Sequence, residues 1–240
     1  NTGTSYPSLT NCSFTENKAA QDGGGFWNMG DYGYGERNRF FINCNFSKNT
    51  AGNYGGGFYA HSGYFDLIHC IFLANSAGSA GGGLKIAFLE DGTFFNKAVL
   101  TNCSFSGNSA TTGGAINVEY GWGSENTTTY LHNCIVWENP GGEITGLFAD
   151  EGLFSVIVDH SLVKGGFNGE ANLFMDPKFV DAASGNLRLQ TCTPAIDAGD
   201  NIANNLTADL DGNTRKWNAT GALDLLIDMG AYEFQGTSEP

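Results

Sequence analysis

The side chains best suited to chemistry in this sequence are cysteines, asparagines and glycines that recur together. The first set lies in the stretch LTNCSFTENKAAQDGGGFWN, from Leu9 to Asn28. A cysteine close to a glycine run could belong to a zinc site, a redox centre or a phosphate-binding loop. Zinc sites use close pairs such as C-x-x-C, and the sequence contains no such pair. The glycine runs precede no Lys-Ser or Lys-Thr and open no helical pattern, which argues against a phosphate loop.

The same stretch recurs along the chain, so it is part of a repeat rather than an isolated motif. Aligned on cysteine, the copies place Cys12, Cys44, Cys70, Cys103 and Cys134 in one column, at spacings of 32, 26, 33 and 31 residues. Two residues later stand Phe14, Phe46, Phe72, Phe105 and Val136, and five residues later Asn17, Asn49, Asn75, Asn108 and Asn139. A fainter copy, VIVDHSLVKGG, begins at Val156. Self-similarity with a period of about 20–50 residues indicates a solenoid or array before it indicates a site.

The elements that carry these columns are short strands. No run of a dozen residues shows the spacing of apolar residues that a helical repeat needs, and Gly and Asn interrupt every apolar run. The extra residues of the longer repeats fall at one place in the copy, in segments 30–38, 89–96 and 120–129. A β-solenoid coil can extend a loop at one corner in this way. We therefore expect three short strands per coil and about six coils up to Gly166.

The repeat resembles those of right-handed parallel β-helix proteins, especially the Asn-Cys-x-Phe and Gly-Gly-x-Ile repeats of polymorphic outer-membrane proteins. The later segments DPKFVDAASGNLRLQ, PAIDAGDN, ADLDGNTR and IDMGAYEF resemble the closing part of secreted or surface-anchored bacterial β-helix proteins. The resemblance implies an all-β, right-handed parallel β-helix in residues 1–165. It also implies a C-terminal capping segment of the same domain in 166–234, and a linker or tail in 235–240. The expected location is secreted or at the bacterial cell surface, while the activity stays open because a fold does not fix a function.

Stacking gives each column of the repeat a structural role. We expect the phenylalanine and cysteine columns to lie inside, and the asparagine column to form a hydrogen-bonded ladder at a corner. The glycines should allow a tight turn with positive φ. Six cysteines in an exported chain would ordinarily indicate disulfides. The shared inward register favours buried thiols instead, and Cys192 lies outside the ladder.

Aromatic residues mark a predicted binding surface. After each glycine run, strand alternation places Phe26 and Phe58 inward and Trp27 and Tyr59 outward. His61 also points outward. Together with Trp122 of a corner loop, the set Trp27, Tyr59 and His61 is a candidate carbohydrate-binding platform, since sugar rings stack on exposed aromatic faces. The alternative is that these rings pack under the long loops and cover the sheet.

Two other functions stay open beside glycan binding or adhesion. The first is a β-helix polysaccharide lyase or glycoside hydrolase, which needs a base with cations or a pair of facing carboxylates. The four arginines lie at a loop edge (Arg37, Arg39) or in the C-terminal region (Arg188, Arg215), and no acidic column repeats. The second is a structural stalk or fibre segment without a ligand. No catalytic residue is predicted, and the sequence favours binding over catalysis.

The C-terminal region contains the densest acidic cluster. Asp209, Asp211, Asp228 and Glu233 could supply oxygen ligands to Ca²⁺, although the spacing is not that of an EF-hand. The alternative is that these side chains cap turns and pair with Arg215 and Lys216. Calcium is the one cofactor that the sequence suggests.

Charge and composition limit the partners. A net charge of −14 argues against nucleic acid and anionic membranes. No apolar run is long enough for a transmembrane segment. Only NTGTSYPS precedes the first repeat, too little to cover a coil with unpaired backbone groups. We therefore expect the N-terminal coil to continue into further coils or to pack on another chain.

Overall fold

A computed structural model describes residues 7–29, 38–88, 97–120, 127–147, 154–203, 206–217 and 225–236. Within these ranges all regular secondary structure is β, and no helix occurs. Strands of successive repeats pair in parallel, so the chain winds as a parallel β-helix. The predicted fold class is confirmed.

The strands follow the repeat coil by coil. The first coil contains β1 (Ser8–Thr10), β2 (Ser13–Thr15), β3 (Lys18–Ala19) and β4 (Phe26–Met29). The second contains β5 (Asn38–Ile42), β6 (Asn45–Ser47), β7 (Thr50–Ala51) and β8 (Phe58–His61), and the third β9 (Tyr64–Ile68), β10 (Ile71–Leu73), β11 (Ser76–Ala77) and β12 (Leu84–Phe88). The fourth contains β13 (Lys97–Thr101), β14 (Ser104–Ser106) and β15 (Ile116–Tyr120), and the fifth β16 (Thr127–His132), β17 (Ile135–Trp137) and β18 (Ile144–Leu147). Then come β19 (Phe154–Asp159) and β20 (Leu162–Val163), followed by the pair β21 (Phe179–Asp181) and β22 (Asn186–Leu189).

Three stacked sheets form the walls of the solenoid. Sheet 1 has the order β1-β5-β9-β13-β16-β19, sheet 2 the order β2-β6-β10-β14-β17-β20, and sheet 3 the order β4-β8-β12-β15-β18. In the part of the chain that the structure describes, five coils contribute to all three sheets and a sixth to two of them, a small difference from the predicted count. A further short sheet, β3-β7-β11, gives the first three coils a fourth strand that the sequence did not predict.

In-register pairing stacks identical side chains inside the solenoid. The rings of Phe14, Phe46, Phe72 and Phe105 lie at centroid separations of 4.9, 4.8 and 4.5 Å and are nearly parallel. These separations equal the spacing of neighbouring strands, about 4.8 Å. Arg39, which borders the loop segment 30–38 in the sequence, is the second residue of β5 and is only 1% exposed. Register decides this, because Arg39 pairs with Phe65, an inward position of sheet 1.

The cysteine column is a second interior stack. None of the six cysteines, all of which lie in the described ranges, forms a disulfide. Cys44, Cys70, Cys103 and Cys134 are fully buried, and Cys12 of the first coil is half-buried. Their thiols donate to main-chain carbonyls, as Cys70 Sγ does to Phe41 O at 3.2 Å. The column therefore packs as small apolar side chains with a weak donor.

The asparagine column forms the predicted ladder at the corner after sheet 2. Asn49 donates from both its backbone N and its Nδ2 to Asn75 Oδ1, at 3.0 Å each, and from Nδ2 to Phe14 O at 2.8 Å. The same pattern joins Asn75 to Asn108 and Asn108 to Asn139. Glu143 ends the ladder, because its Oε2 accepts from Asn139 Nδ2 at 2.5 Å. Each amide satisfies main-chain groups that the turn would otherwise leave unpaired.

The glycine runs serve two purposes rather than the single one expected. In the first four runs only the first glycine has positive φ, as at Gly55 (63°) and Gly81 (67°). The second glycine meets the next coil, since a Cβ on Gly56 would lie 2.4 Å from Gly82 O. Close backbone approach therefore explains the middle of the run.

The C-terminal part contacts the solenoid in two places. Phe167 packs against the core of the last coil, and Asn172 accepts from Ser161 N and donates to Val158 O. Further on, Leu189 and Met229 cluster with Ile135 on the outward face of sheet 2, and Leu187 and Ala231 cluster with Ile71 on the same face. The boundaries 1–165, 166–234 and 235–240 stay predictions.

At the other end of the solenoid, β1 to β4 each lie at a sheet edge within the described residues. Leu9, Cys12, Phe14 and Phe26 are only half-buried there, although each packs against the core. Continuation of this coil, or its packing on another chain, stays a prediction.

The ladder predicts a position-dependent loss of stability. Asn75→Ala leaves Asn49 N and Phe46 O buried without this partner, so the free energy of unfolding should fall by about 3–6 kcal/mol. Asn17→Ala removes the exposed first member of the same ladder and should cost less than about 1 kcal/mol. Denaturant unfolding of both variants tests this, and equal losses would show that the ladder does not stabilise the corner.

The cysteines predict an ordered reactivity towards a thiol reagent. In the native protein the exposed Cys192 should react fast and the half-buried Cys12 more slowly, whereas the four buried thiols should react only on unfolding. Cys44→Ser should destabilise by about 1–3 kcal/mol, because it puts a hydroxyl in an apolar stack. Rapid labelling of four or more thiols in the folded state would contradict the buried column.

Candidate functional site

The outward face of sheet 3 holds most of the predicted carbohydrate-binding residues. Pairing aligns Trp27 with Tyr59, and Tyr59 with Lys85, in one outward column. His61 lies in the next outward column and aligns with Ala87. The structure thus places Trp27, Tyr59 and His61 on one face, as alternation predicted. Trp122 lies outside the described residues.

The rings on this face form an aromatic cluster, defined here as Trp27, Tyr54, Tyr59 and His61. The ring centroids of Tyr59 and His61 are 5.6 Å apart, and those of Tyr54 and Tyr59 6.2 Å. Trp27, Tyr59 and His61 are half-buried, whereas Tyr54 is 38% exposed. The cluster is therefore recessed, with Tyr54 as its most accessible member, rather than a flat open platform.

A buried ion pair lies beside the cluster. Lys85 points outward from β12 but is only 2% exposed. Its Nζ donates to Asn117 Oδ1 at 2.5 Å and to Glu119 Oε2 at 2.6 Å, and it lies 5.4 Å from the centre of the Tyr54 ring. Burial lowers the pKa of Lys85, and the bond to Glu119 opposes that shift. The pairing neutralises the ammonium, as a buried charge requires.

Carboxylates set the electrostatics of the accessible edge. Asp22 Oδ1 accepts from Tyr54 N at 3.2 Å, which holds the carboxylate next to the cluster. Burial raises the pKa of Tyr59 to about 12, and the charges of Asp22 and Glu119 add to the shift. Burial lowers the pKa of His61 below its ordinary value, against the attraction of Asp22. At neutral pH the cluster thus contains a protonated Tyr59 and an uncharged His61 beside an anionic edge.

Tyr54 and Asp22 are the members of this site that the sequence pattern did not single out as ligand-binding. Both stand ten residues after the column cysteine, directly before the first glycine of a run. An alignment of the repeats therefore places Asp22 and Tyr54 in one column. This column shows no consistent residue type, because Ala80 and Thr112, the next residues in it, are neither aromatic nor charged.

Sheet 1 carries a separate polar group. On its outward face His132 Nδ1 lies 2.5 Å from Asp159 Oδ1, and the rings of Tyr130 and His132 stack at 5.6 Å. Lys97 lies over the Tyr130 ring at 5.0 Å. A groove of about 270 Å³ beside them is lined by Tyr64, Asp66, Ile68, Lys97, Val99, Thr101, Ala203 and Leu206. Because the lining combines apolar, acidic and basic side chains, it favours no single class of ligand.

The residues predicted to bind calcium face protein donors. Asp209 is 2% exposed, and its oxygens accept from the backbone N of Asp211, Asn213 and Glu233. Asp228 accepts from Asp197 N at 2.8 Å and from Phe234 N at 2.6 Å. These contacts match the alternative in which the acids cap turns.

The two remaining acids of this set pair with arginines. Glu233 lies 3.5 Å from the buried Arg215, and Asp211 receives two bonds of 2.6 Å from Arg188. Among the described residues no group of three or more His, Cys, Asp or Glu side chains has an arrangement that could hold a metal ion. Calcium binding by Asp209, Asp211, Asp228 and Glu233 stays an untested prediction.

Comparison with known protein families gives a match within the fourth coil. Residues 102–119 match the Chlamydia polymorphic membrane protein repeat. This segment runs from the corner before β14 to β15, and it agrees with the resemblance drawn from the sequence. Searches of curated proteins and of solved structures return no match. The match covers a small part of the chain, and it supports a bacterial surface or outer-membrane setting at that coarse level.

In the described ranges no helix is long and apolar enough to cross a membrane.

The buried carboxyls of the C-terminal segment predict a dependence of stability on pH. Burial raises the pKa of Asp228 to about 7 and that of Glu233 to about 9, and the charge of Asp228 adds to the second shift. Groups whose pKa rises on folding stabilise the fold fully below their ordinary pKa, and that contribution is lost as the pH rises through about 7 and 9. The free energy of unfolding should therefore fall between about pH 5 and pH 8.

Asp228→Asn removes the titrating group but keeps an acceptor oxygen, so it should flatten this slope. Asp211→Asn changes an exposed acid paired with Arg188 and should keep the slope. Denaturant titrations at the two pH values measure both. A slope unchanged by Asp228→Asn would contradict the assignment.

Proposed function

We propose that this β-helix module binds glycans through the aromatic cluster, as part of a bacterial cell-surface protein that mediates adhesion. The observation that carries the proposal is the in-register pair Trp27 and Tyr59, with His61 beside it, on one outward face. Aromatic faces cover the apolar sides of a sugar ring, and nearby polar groups orient its hydroxyls. The match to a membrane-protein repeat supports the surface setting.

Polar groups at the cluster suit recognition of hydroxyls. Tyr59 keeps its proton, so its phenol can both donate and accept. The uncharged His61 likewise offers one donor and one acceptor. Glu119 has a side chain that is 49% exposed, so it can accept while Lys85 holds it in place. A recessed site with a few fixed polar groups is the usual form of a small-ligand site.

Binding fits these contacts better than catalysis. Burial lowers the pKa of Lys85, but this side chain is 2% exposed and already donates to Glu119 and Asn117. A base must reach the proton that it removes. A lyase or glycoside hydrolase therefore stays the second candidate, and a stalk without ligand the third.

Trp27→Ala tests the proposal. We expect affinity for a bound oligosaccharide to fall at least about fivefold, since loss of an aromatic anchor typically costs more than about 1 kcal/mol. The melting temperature should change little. Trp217→Ala is the matched control, because Trp217 is 42% exposed and lies in the C-terminal segment. Glycan-array binding, calorimetry and thermal unfolding of the three proteins are the measurements.

Two results would count against this function. A large drop in melting temperature with unchanged binding would make Trp27 a packing residue. Absence of binding to every glycan tested by the unmodified protein would favour the stalk, and cleavage of a polysaccharide would favour the enzyme.

A further inference from the structure

From the charges around the aromatic cluster we infer the class of glycan that it prefers: one with free amino groups, bound as a cation between Asp22 and the rings of Tyr54 and Tyr59. This inference rests on the proposed function and names the ligand class of the same site. The surroundings of each charged group at the site support it.

The site contains carboxylates but no available cation among the described residues. Of the ammonium groups that the structure describes, Lys85 is the one that lies over a ring of the cluster, and its charge is paired with Glu119 at 2.6 Å in a nearly inaccessible position. Burial keeps His61 uncharged at neutral pH. Among the described residues an acidic sugar would therefore find no accessible cation to neutralise its carboxylate, and the chain as a whole carries a net charge of −14.

Asp22 is placed to receive a cation. One of its oxygens accepts from Tyr54 N at 3.2 Å, which fixes the orientation of the carboxylate. The other oxygen accepts no hydrogen bond from the described residues. Asp22 is half-buried, so part of the carboxylate is accessible beside Tyr54. A protonated amine here would form a charge-assisted hydrogen bond.

The rings add a second attraction for a cation. Tyr54 already has the Lys85 ammonium near its ring, at 5.4 Å from the centroid. Tyr59 lies 6.2 Å from Tyr54, so a bound amine would meet more than one π-face. Cations over aromatic faces are stabilised by the ring quadrupole, and more strongly where water is partly excluded. A neutral N-acetyl group carries no charge, so it would form neither the charge-assisted bond with Asp22 nor the cation–π contact with the rings.

Matched oligosaccharides test the inference. The probes are a β-linked glucosamine oligomer, its fully N-acetylated counterpart of equal length, and a polyuronate fragment, each titrated at about pH 6, where most of the amines carry a proton. We expect the amine-bearing oligomer to bind at least about tenfold more tightly than the N-acetylated one, with a preference that weakens as salt increases. The polyuronate should bind least.

Variants separate this inference from the proposed function. Asp22→Asn should reduce the preference for amines to less than about twofold while binding of the N-acetylated oligomer persists. Glu16→Gln is the control, because this exposed acid of the same coil pairs with Lys48 at 3.7 Å and is not part of the cluster. Equal affinity for the amine and N-acetylated oligomers, with loss of both in Trp27→Ala, would overturn the amine preference and keep the glycan site. No binding of any oligomer would overturn the glycan site itself.

Discussion

The in-register pairing of successive coils fixes the position of nearly every side chain in this molecule. A side chain must be compatible with its own copy about 4.8 Å away, because each coil repeats the one before it. Phenylalanine, cysteine and asparagine meet this condition by ring stacking, close packing and amide hydrogen bonds. Like charges do not, since direct stacking of them is destabilising. Asp22 and Glu119 accordingly stand in different columns, separated by rings and by Lys85.

The same pairing explains how the corners tolerate so many polar main-chain groups. The residue before each column cysteine adopts a left-handed conformation, with φ of 53°, 52° and 52° at Asn43, His69 and Asn102. Asparagine and histidine accept this region more readily than most residues. The C-terminal segment solves the same problem without a repeat, since the carboxylates of Asp209 and Asp228 accept from backbone N–H groups. The repeated asparagines of the coils and the buried acids of the C-terminal segment thus both supply hydrogen-bond partners to buried main-chain groups.

Features that recur in every coil could be predicted from the sequence, whereas contacts that occur once could not. Column alignment was enough to predict the parallel fold, the inward rings and the outward position of Trp27, because each was written several times. It does not predict that Lys85, which points outward in the same column as Tyr59, is only 2% exposed. The contacts of Met229 with sheet 2 join residues far apart in sequence, and no local pattern encodes them. The strands β3, β7 and β11 are too short, at two residues each, to show alternation.

The asparagine ladder gives the solenoid a dipole along its axis. The side-chain amides of Asn17, Asn49, Asn75 and Asn108 each donate to the amide of the following coil, so the amide dipoles add along the axis. As in a helix, the donor end of such a row is partly positive and the acceptor end partly negative. The carboxylate of Glu143 meets the positive end and compensates it. The opposite end presents the carbonyl oxygen of Asn17 at the first coil, so the two ends of the solenoid differ in potential as well as in shape.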